Sequence, residues 1–234
     1  MSRPTSRASR VASLSLAIVT TLAMPSASAQ VPPSPAETAR YRGIFAAAAG
    51  GDARAIAKFP PDEVNTRDAY GRTPLIVAAY ARKHDAMRAL VTAGADPNAL
   101  ERDRYDIVTI AAVANDLATL QVALALGASA KNVTSRYDGT ALIAAAHLGH
   151  EAIVRELCRA GAPLDHVNNL GWTALIESIV LGDGGPRHVA TLRALVEAGA
   201  NVNLPDGGGT TPLALARGRG FREMIEILIR AGAR

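Results

Sequence analysis

The chain repeats the dipeptide Gly-Ala at nearly constant intervals. The copies are Gly94-Ala95, Gly127-Ala128, Gly161-Ala162, Gly199-Ala200 and Gly232-Ala233. The interval hardly varies, and only the step from Gly161 to Gly199 is noticeably longer than the others. A period of about 33 residues is typical of a stacked array, because each unit is one supersecondary element that buries its apolar face against the next. The spacing therefore predicts a series of similar stacked units.

The clearest unit spans residues 68–100 and carries the signals of two helices joined by a turn. Thr73 and Pro74 suit the start of the first helix, since a hydroxyl caps a free N–H and proline needs no N–H partner there. Leu75 is the first core anchor, and the small Ala78 lets a neighbouring unit approach closely. We therefore predict the order turn, helix, turn, helix and loop.

This unit resembles the ankyrin repeat. The resemblance rests on Gly71-Arg72-Thr73-Pro74-Leu75, Ala78-Ala79, Leu90-Val91 and Gly94-Ala95-Asp96, and it covers nearly all of the chain from Gln30 onward. It implies an all-α fold, an ankyrin-repeat solenoid of stacked helix-turn-helix units with projecting hairpin loops. It also implies a scaffold, not an enzyme, that binds a protein partner along the concave face made by the hairpins and first helices.

The repeat register divides the chain into segments. We predict a signal peptide at 1–29, a linker at 30–33 and a degenerate capping repeat at 34–67. Five repeats follow at 68–100, 101–133, 135–167, 168–205 and 206–234. The capping repeat opens with the capping box Ser34-Pro35-Ala36-Glu37. The fourth repeat has an insertion at 183–187, whose Gly-Gly-Pro sequence predicts a mobile surface loop.

The turn between the two helices of a repeat favours a left-handed residue. Gly149, Gly182 and Gly220 suit this conformation, and Arg82 and Asn115 are expected to adopt it at some strain.

The leader, segment 1–29, has the three parts of a secretory signal peptide. Arg3, Arg7 and Arg10 form a basic front, an apolar stretch runs from 11 to 24, and Ala27-Ser28-Ala29 is a small-x-small cleavage site. We expect cleavage after Ala29 and a periplasmic or secreted protein. The apolar stretch is shorter than the roughly 20 residues of a spanning helix. An uncleaved leader would instead make the protein a membrane-tethered scaffold.

The charge balance argues against nucleic acid and membranes as partners. The chain has 25 basic and 21 acidic residues. The leader holds three of the arginines and no acid, so the remainder has 22 basic and 21 acidic residues, a net charge of +1. Such a chain has no general attraction for polyanions or anionic lipid. The single Cys158 excludes an internal disulfide, so packing must stabilise the fold.

Five positions of each repeat are not needed for the fold: the second, third and fifth on the hairpin, and the last two of the first helix. Four of the five tyrosines and the single tryptophan fall there, and Tyr, Trp and Arg are enriched at binding hot spots. We predict a partner-binding face centred on Tyr105, Tyr137 and Trp172. Its members are Tyr70, Arg72, Tyr80, Arg102, Tyr105, Arg136, Tyr137, His147, Trp172 and Leu181. Alternatively, these aromatic residues pack on neighbouring hairpins and only stiffen them.

The sequence contains no HExxH, GxSxG, phosphate-binding glycine loop or CxxC. We therefore predict no catalytic residue, no cofactor, no metal ion and no small-molecule substrate. His147 and His150 are close in sequence but lack a third ligand at matching spacing. The alternative class is an enzyme or enzyme subunit with a site built from His147, Asp103 and Arg136.

Overall fold

The computed structural model describes residues 30–234, so the predicted signal peptide and its cleavage site lie outside the described residues. Pro32–Arg234 form one compact unit. Within residues 30–234, no helix combines the length and the apolar character that a membrane crossing requires.

Short helices pair in sequence order after the lead helix α1 (Pro35–Arg40). We call the first helix of each pair the inner helix. The inner helices are α2 (Gly43–Gly50), α4 (Pro74–Tyr80), α6 (Ile107–Val113), α8 (Ala141–His147), α10 (Ala174–Val180) and α12 (Pro212–Arg219). The outer helices are α3 (Ala53–Ile56), α5 (His84–Thr92), α7 (Leu117–Ala125), α9 (Glu151–Arg159), α11 (Pro186–Glu197) and α13 (Arg222–Arg230). A 3-10 turn at Pro61–Glu63 completes the capping segment.

Successive pairs stack with inner helix on inner helix and outer helix on outer helix. The buried side chains form a continuous apolar core along this stack, with Leu142 and Leu175 fully buried on neighbouring inner helices. The strands β1 (Val133–Thr134) and β2 (Gly139–Thr140) pair antiparallel within one hairpin. The predicted all-α solenoid of helix-turn-helix units is confirmed.

A polar side chain caps the start of each inner helix from α4 to α12. The capping residues are Thr73, Asp106, Thr140, Thr173 and Thr211, and each accepts a hydrogen bond from the backbone N–H at the third following position. Asp106 shows why the second repeat tolerates its loss of the Thr-Pro pair, because a carboxylate caps as well as a hydroxyl. At the start of α1, Ser34 and Glu37 form the predicted capping box.

The turn between helices differs from the prediction in the fourth repeat. The left-handed residues at this turn are Arg82, Asn115, Gly149, Gly184 and Gly220. The prediction for Gly182 was wrong, because the insertion moves the left-handed position to Gly184. Gly182 is instead needed for close approach, since a Cβ there would collide with the carbonyl oxygen of Ser178.

The insertion at 183–187 forms an anchored turn in place of the predicted mobile loop. Asp183 Oδ1 accepts a hydrogen bond from the Gly185 N–H at 2.9 Å and lies 2.8 Å from His188 Nδ1. Gly184 lies so close to the Phe221 ring that a Cβ would collide with it. Pro186 then begins α11, which has 12 residues where α9 has 9. The extra residues therefore lengthen an outer helix.

Gly171 and Gly209 provide a matched test of how closely neighbouring hairpins pack. Both are left-handed, with φ of +79° and +82°. A Cβ on Gly171 would lie 2.7 Å from the Gly207 nitrogen of the next hairpin, whereas a Cβ on Gly209 would meet nothing within 4 Å. Gly209→Ala should lower the free energy of unfolding by about 1–2 kcal/mol, the cost of left-handed alanine. Gly171→Ala should cost about 1–3 kcal/mol more, because backbone must move.

Urea unfolding followed by circular dichroism measures both losses. The hairpins are numbered by the repeat that each one opens. Equal losses for the two variants would contradict tight packing between hairpins four and five.

Candidate functional site

The hairpins of consecutive repeats are joined backbone to backbone. The Arg102 N–H donates to the Tyr70 carbonyl at 3.1 Å, and the Asn169 N–H donates to the Tyr137 carbonyl at 3.0 Å. The link between the last two hairpins runs from the Gly207 N–H to a carbonyl in hairpin four at 3.1 Å. The hairpin tips therefore lie side by side, and their projecting side chains form one surface.

One side chain at the base of each of four hairpins orders its turn. Asp68, Glu101, Asn168 and Asp206 each use one oxygen to accept hydrogen bonds from the backbone N–H groups at the second and fourth following positions. The backbone at the third and fifth hairpin positions is therefore fixed before any partner arrives. Such preorganisation reduces the entropy that binding must offset.

A row of half-buried side chains runs along the inner helices. Tyr80, Val113, His147 and Val180 occupy the same position on α4, α6, α8 and α10. Tyr80 also lines an open hollow of about 180 Å³ with Val77 of the same helix and with Pro32, Pro33 and Thr38 of the preceding segment. We call the surface made by the hairpin tips and this row the binding face.

Nine of the ten residues predicted to bind a partner lie on the binding face or at its edge. The exposed ones are Tyr70, Arg102, Arg136 and Tyr137. The half-buried ones are Tyr80, Tyr105, His147, Trp172 and Leu181. Burial raises the pKa of the Tyr80 and Tyr105 phenols above the usual value, so both hydroxyls stay protonated at neutral pH. Their role in binding stays a prediction.

The prediction for Arg72 was wrong, because this side chain is buried with a relative exposure of 1%. Its guanidinium lies 2.7 Å from Glu37 of the capping segment and 2.7 Å from Asp68 of its own hairpin. Tyr41 donates a hydrogen bond to the same Asp68 carboxylate at 2.8 Å. Arg72 therefore ties the capping segment to the first hairpin and is not available to a partner.

Three exposed apolar side chains on or next to the third and fourth hairpins are absent from the predicted set. Val133, Val167 and Leu170 have relative exposures of 37%, 45% and 40%. With Tyr137, at 36%, they concentrate exposed apolar side chains on hairpins three and four. The repeat register holds a signal for Val167, since the equivalent residue directly before the first hairpin is Arg67.

The residues of the alternative enzyme site are not brought into one cluster. Arg136 Nη2 lies 3.8 Å from Asp103 Oδ1. His147 contacts a different acid, with its Nδ1 3.6 Å from Glu177 Oε2. Within residues 30–234, no group of three His, Cys, Asp or Glu side chains could hold a metal ion.

Glu177 is a buried polar residue in contact with His147 of the binding face, and the sequence prediction does not include it. It lies on α10 at the position that Val77, Ile110, Ala144 and Leu215 fill in the other repeats. The residue is buried, with a relative exposure of 5%. A glutamate in a short helix is more often solvated, which is why the sequence alone does not single it out. The signal in the sequence is that Glu177 stands where the equivalent residues of the other repeats are apolar.

The carboxyl group of Glu177 sits in an environment that opposes its charge. Asn168 Nδ2 donates to Oε1 at 2.8 Å, and this hydrogen bond favours the carboxylate. Burial outweighs it and raises the pKa of Glu177 from 4.5 to about 7. Burial and the neighbouring His188 lower the pKa of His147. Each group therefore favours its neutral form, and the pair forms no strong ion pair at neutral pH.

Comparison with known sequences identifies the repeated unit. The family described as ankyrin repeats in three copies matches residues 108–206, and the single ankyrin repeat matches residues 70–102. The ankyrin repeat protein YahD of Escherichia coli (strain K12) is 38% identical over 172 residues, which cover 73% of this chain and 85% of that protein. The B-cell lymphoma 3 protein homolog of mouse is 32% identical over 73% of this chain, but the match covers 38% of that longer protein.

Solved structures show the same likeness. An ankyrin repeat domain from Acinetobacter baumannii AYE superposes with a TM-score of 0.75 and 42% identity, over 82% of this chain and 98% of that one. The ankyrin repeat domain of Bcl-3 superposes with a TM-score of 0.73 and 27% identity, over 83% of this chain and 88% of that one.

The raised pKa of Glu177 predicts a pH-dependent stability. Between pH 4.5 and about 7 the folded protein binds more protons than the unfolded chain, so the free energy of unfolding falls as the pH rises. Glu177→Gln keeps an acceptor for Asn168 and cannot ionise. The variant should match the wild type at about pH 4 and exceed it by on the order of 2–3 kcal/mol above about pH 8.

Urea unfolding at a series of pH values measures this difference. Glu223→Gln, which changes an exposed carboxylate of α13, is the matched control and should show the same pH dependence as the wild type. Parallel curves for the wild type and Glu177→Gln would contradict the assignment.

Proposed function

Because this chain belongs to the ankyrin repeat family, we propose that it is a non-catalytic scaffold that binds a protein partner through the binding face. Ankyrin repeats are a general protein–protein interaction fold, and rigid stacks of this kind present extended binding surfaces. The proposed contact runs across hairpins three and four and the inner-helix row beside them.

The observation that carries this proposal is the concentration of apolar side chains on two neighbouring hairpins that are joined backbone to backbone. Tyr137, Val133, Val167 and Leu170 are all exposed there, and Trp172 lies half-buried at the base of hairpin four. Arg136 adds a charged group next to Tyr137. Aromatic and apolar anchors bordered by arginine are characteristic of binding hot spots.

We propose that this scaffold acts in the periplasm. The support is the sequence of the leader, with its basic front, short apolar stretch and small-x-small site. Expression of the full chain in a Gram-negative host, followed by osmotic release, should give a protein whose first residue is Gln30. Retention of the intact chain in the membrane fraction would instead support the tethered alternative.

Substitution of Tyr137 and Trp172 tests the binding face. The double variant Tyr137→Ala/Trp172→Ala should weaken capture of the partner from a periplasmic extract. For the purified partner, the Kd should rise by about 30-fold or more, since hot-spot truncations cost about 2 kcal/mol or more. Isothermal titration calorimetry measures the Kd.

Ile229→Ala is the matched control, because Ile229 is 50% exposed but lies on α13, outside the hairpins. It should leave the Kd unchanged. Thermal melts of all variants test the alternative hypothesis, in which the aromatic residues only stiffen the hairpins. That alternative predicts a lower melting temperature for the double variant with partner capture intact, a result that would overturn the proposed face.

A further inference from the structure

We propose that the fourth repeat recognises a cationic side chain of the partner, a lysine or an arginine, through the carboxylate of Glu177. This inference rests on the proposed function, because it assigns one chemical contact within the binding face. It specifies the partner as one that presents a basic residue beside an apolar segment.

Other repeats form without an acid at this position, and in the fourth repeat one oxygen of Glu177 accepts a hydrogen bond from Asn168 of the hairpin. The equivalent residues Val77, Ile110, Ala144 and Leu215 are all apolar, and Val77 and Ile110 are buried on their inner helices as Glu177 is. Burying a carboxyl group costs free energy unless it is paired and hydrogen-bonded. A residue that costs stability on a binding surface is a candidate for function.

The carboxyl group of Glu177 is only half satisfied within residues 30–234. Oε1 accepts a hydrogen bond from Asn168 Nδ2 at 2.8 Å. Oε2 accepts no hydrogen bond from the described residues, and the only ion-pair partner there is His147, whose Nδ1 lies at 3.6 Å. That distance is too long for a hydrogen bond. Oε2 is therefore an acceptor to which no described residue donates a hydrogen bond.

Three other acids with little exposure each accept at least two hydrogen bonds from the described residues. Asp68 contacts the Arg72 guanidinium and accepts from two backbone N–H groups. Glu101 accepts from two backbone N–H groups of its hairpin. Asp106 caps α6 with one oxygen and accepts from Asn132 Nδ2 with the other. Glu177 differs from all three because it accepts a single hydrogen bond, from the neutral amide of Asn168.

His147 lies next to Glu177 Oε2, with its Nδ1 at 3.6 Å. This histidine stands in the inner-helix row of the binding face, and its side chain is 39% exposed. The His147 carbonyl is held by His188 Nε2 at 2.9 Å, so its backbone is fixed while its ring remains at the surface. A rotation of the ring about its side-chain bonds would open Oε2 to a donor from the partner.

A cation at Oε2 would change the balance that keeps Glu177 neutral. An opposite charge within about 4–6 Å favours ionisation, and a charge-assisted hydrogen bond is about twice as strong as a neutral one. The helices packed on α10 are α8, α11 and α12. Their ionisable groups near this site are engaged elsewhere, since His188 contacts Asp183 and Arg219 donates to the carbonyls of Val180 and Gly182. The partner's cation would thus be the counter-charge that this site lacks.

The inference is tested with a random linear peptide library displayed on phage. The library is selected on the protein purified in the form that its host exports. Selection at about pH 8 should enrich peptides with one Lys or Arg at a constant place beside apolar residues, since Glu177 is then ionised. The same selection on Glu177→Gln should yield peptides without that basic position. Glu223→Gln serves as the control and should select as the wild type does.

A double-mutant cycle then measures the contact directly. The strongest arginine peptide is compared with its citrulline analogue, a neutral group of nearly the same shape. For the wild type, citrulline should raise the Kd by about tenfold or more, and for Glu177→Gln the two peptides should bind alike. The advantage of arginine over citrulline should grow as the pH rises through about 7, because binding releases the Glu177 proton.

Binders without a fixed basic position, or an equal citrulline effect in the wild type and Glu177→Gln, would overturn this inference while the proposed function stands. A protein that selects no peptide also overturns the inference, and the proposed function then depends on its own capture experiment with the Tyr137/Trp172 variant.

Discussion

Burial of apolar surface between neighbouring units is the interaction on which the structure depends. A single pair of short helices cannot bury its own apolar face, so each unit is stable only against its neighbours. Close contact needs small residues, and Ala111 and Ala145 are fully buried where inner helices meet. The same closeness brings the hairpins within hydrogen-bond distance of one another. The packing that stabilises the core therefore also assembles and fixes the binding face.

The first and last units of the described stack differ from the inner units in the residues that they carry. At the start, the buried Arg72 is held by Glu37 and Asp68, so a short helix covers the first hairpin. At the other end, Ala214 and Arg217 are exposed at positions where Ile76 and Ala79 are buried in the first repeat. Small or charged residues at these positions tolerate contact with water. The first and last units of the described stack thus differ from the inner units in carrying ion-paired or polar residues.

The regular part of this fold can be predicted because its causes repeat along the sequence. Helix caps, apolar anchors and the closing Gly recur in one register, so Thr73 and its equivalents are identifiable without coordinates. The errors fall where the cause is a contact between distant residues. Arg72 looks free in the sequence because its partner Glu37 lies a whole repeat away. Gly182 and the insertion escape prediction because the Phe221 ring that meets Gly184 comes from the next repeat. No periodic pattern encodes such contacts.

Arg72 and Glu177 show how one observation, a buried charge-bearing residue, leads to two different conclusions. Removing one member of a buried ion pair leaves an unpaired charge and costs about 3–5 kcal/mol, so Arg72 with its two carboxylates belongs to the structure. Glu177 has no such counterpart within the described chain, and burial keeps it near the neutral form. Its apolar equivalents in the other repeats show that the stack forms without an acid there. The proposed recognition of a partner's cation therefore rests on a buried acid that stands at an apolar position and has one hydrogen-bond donor among the described residues.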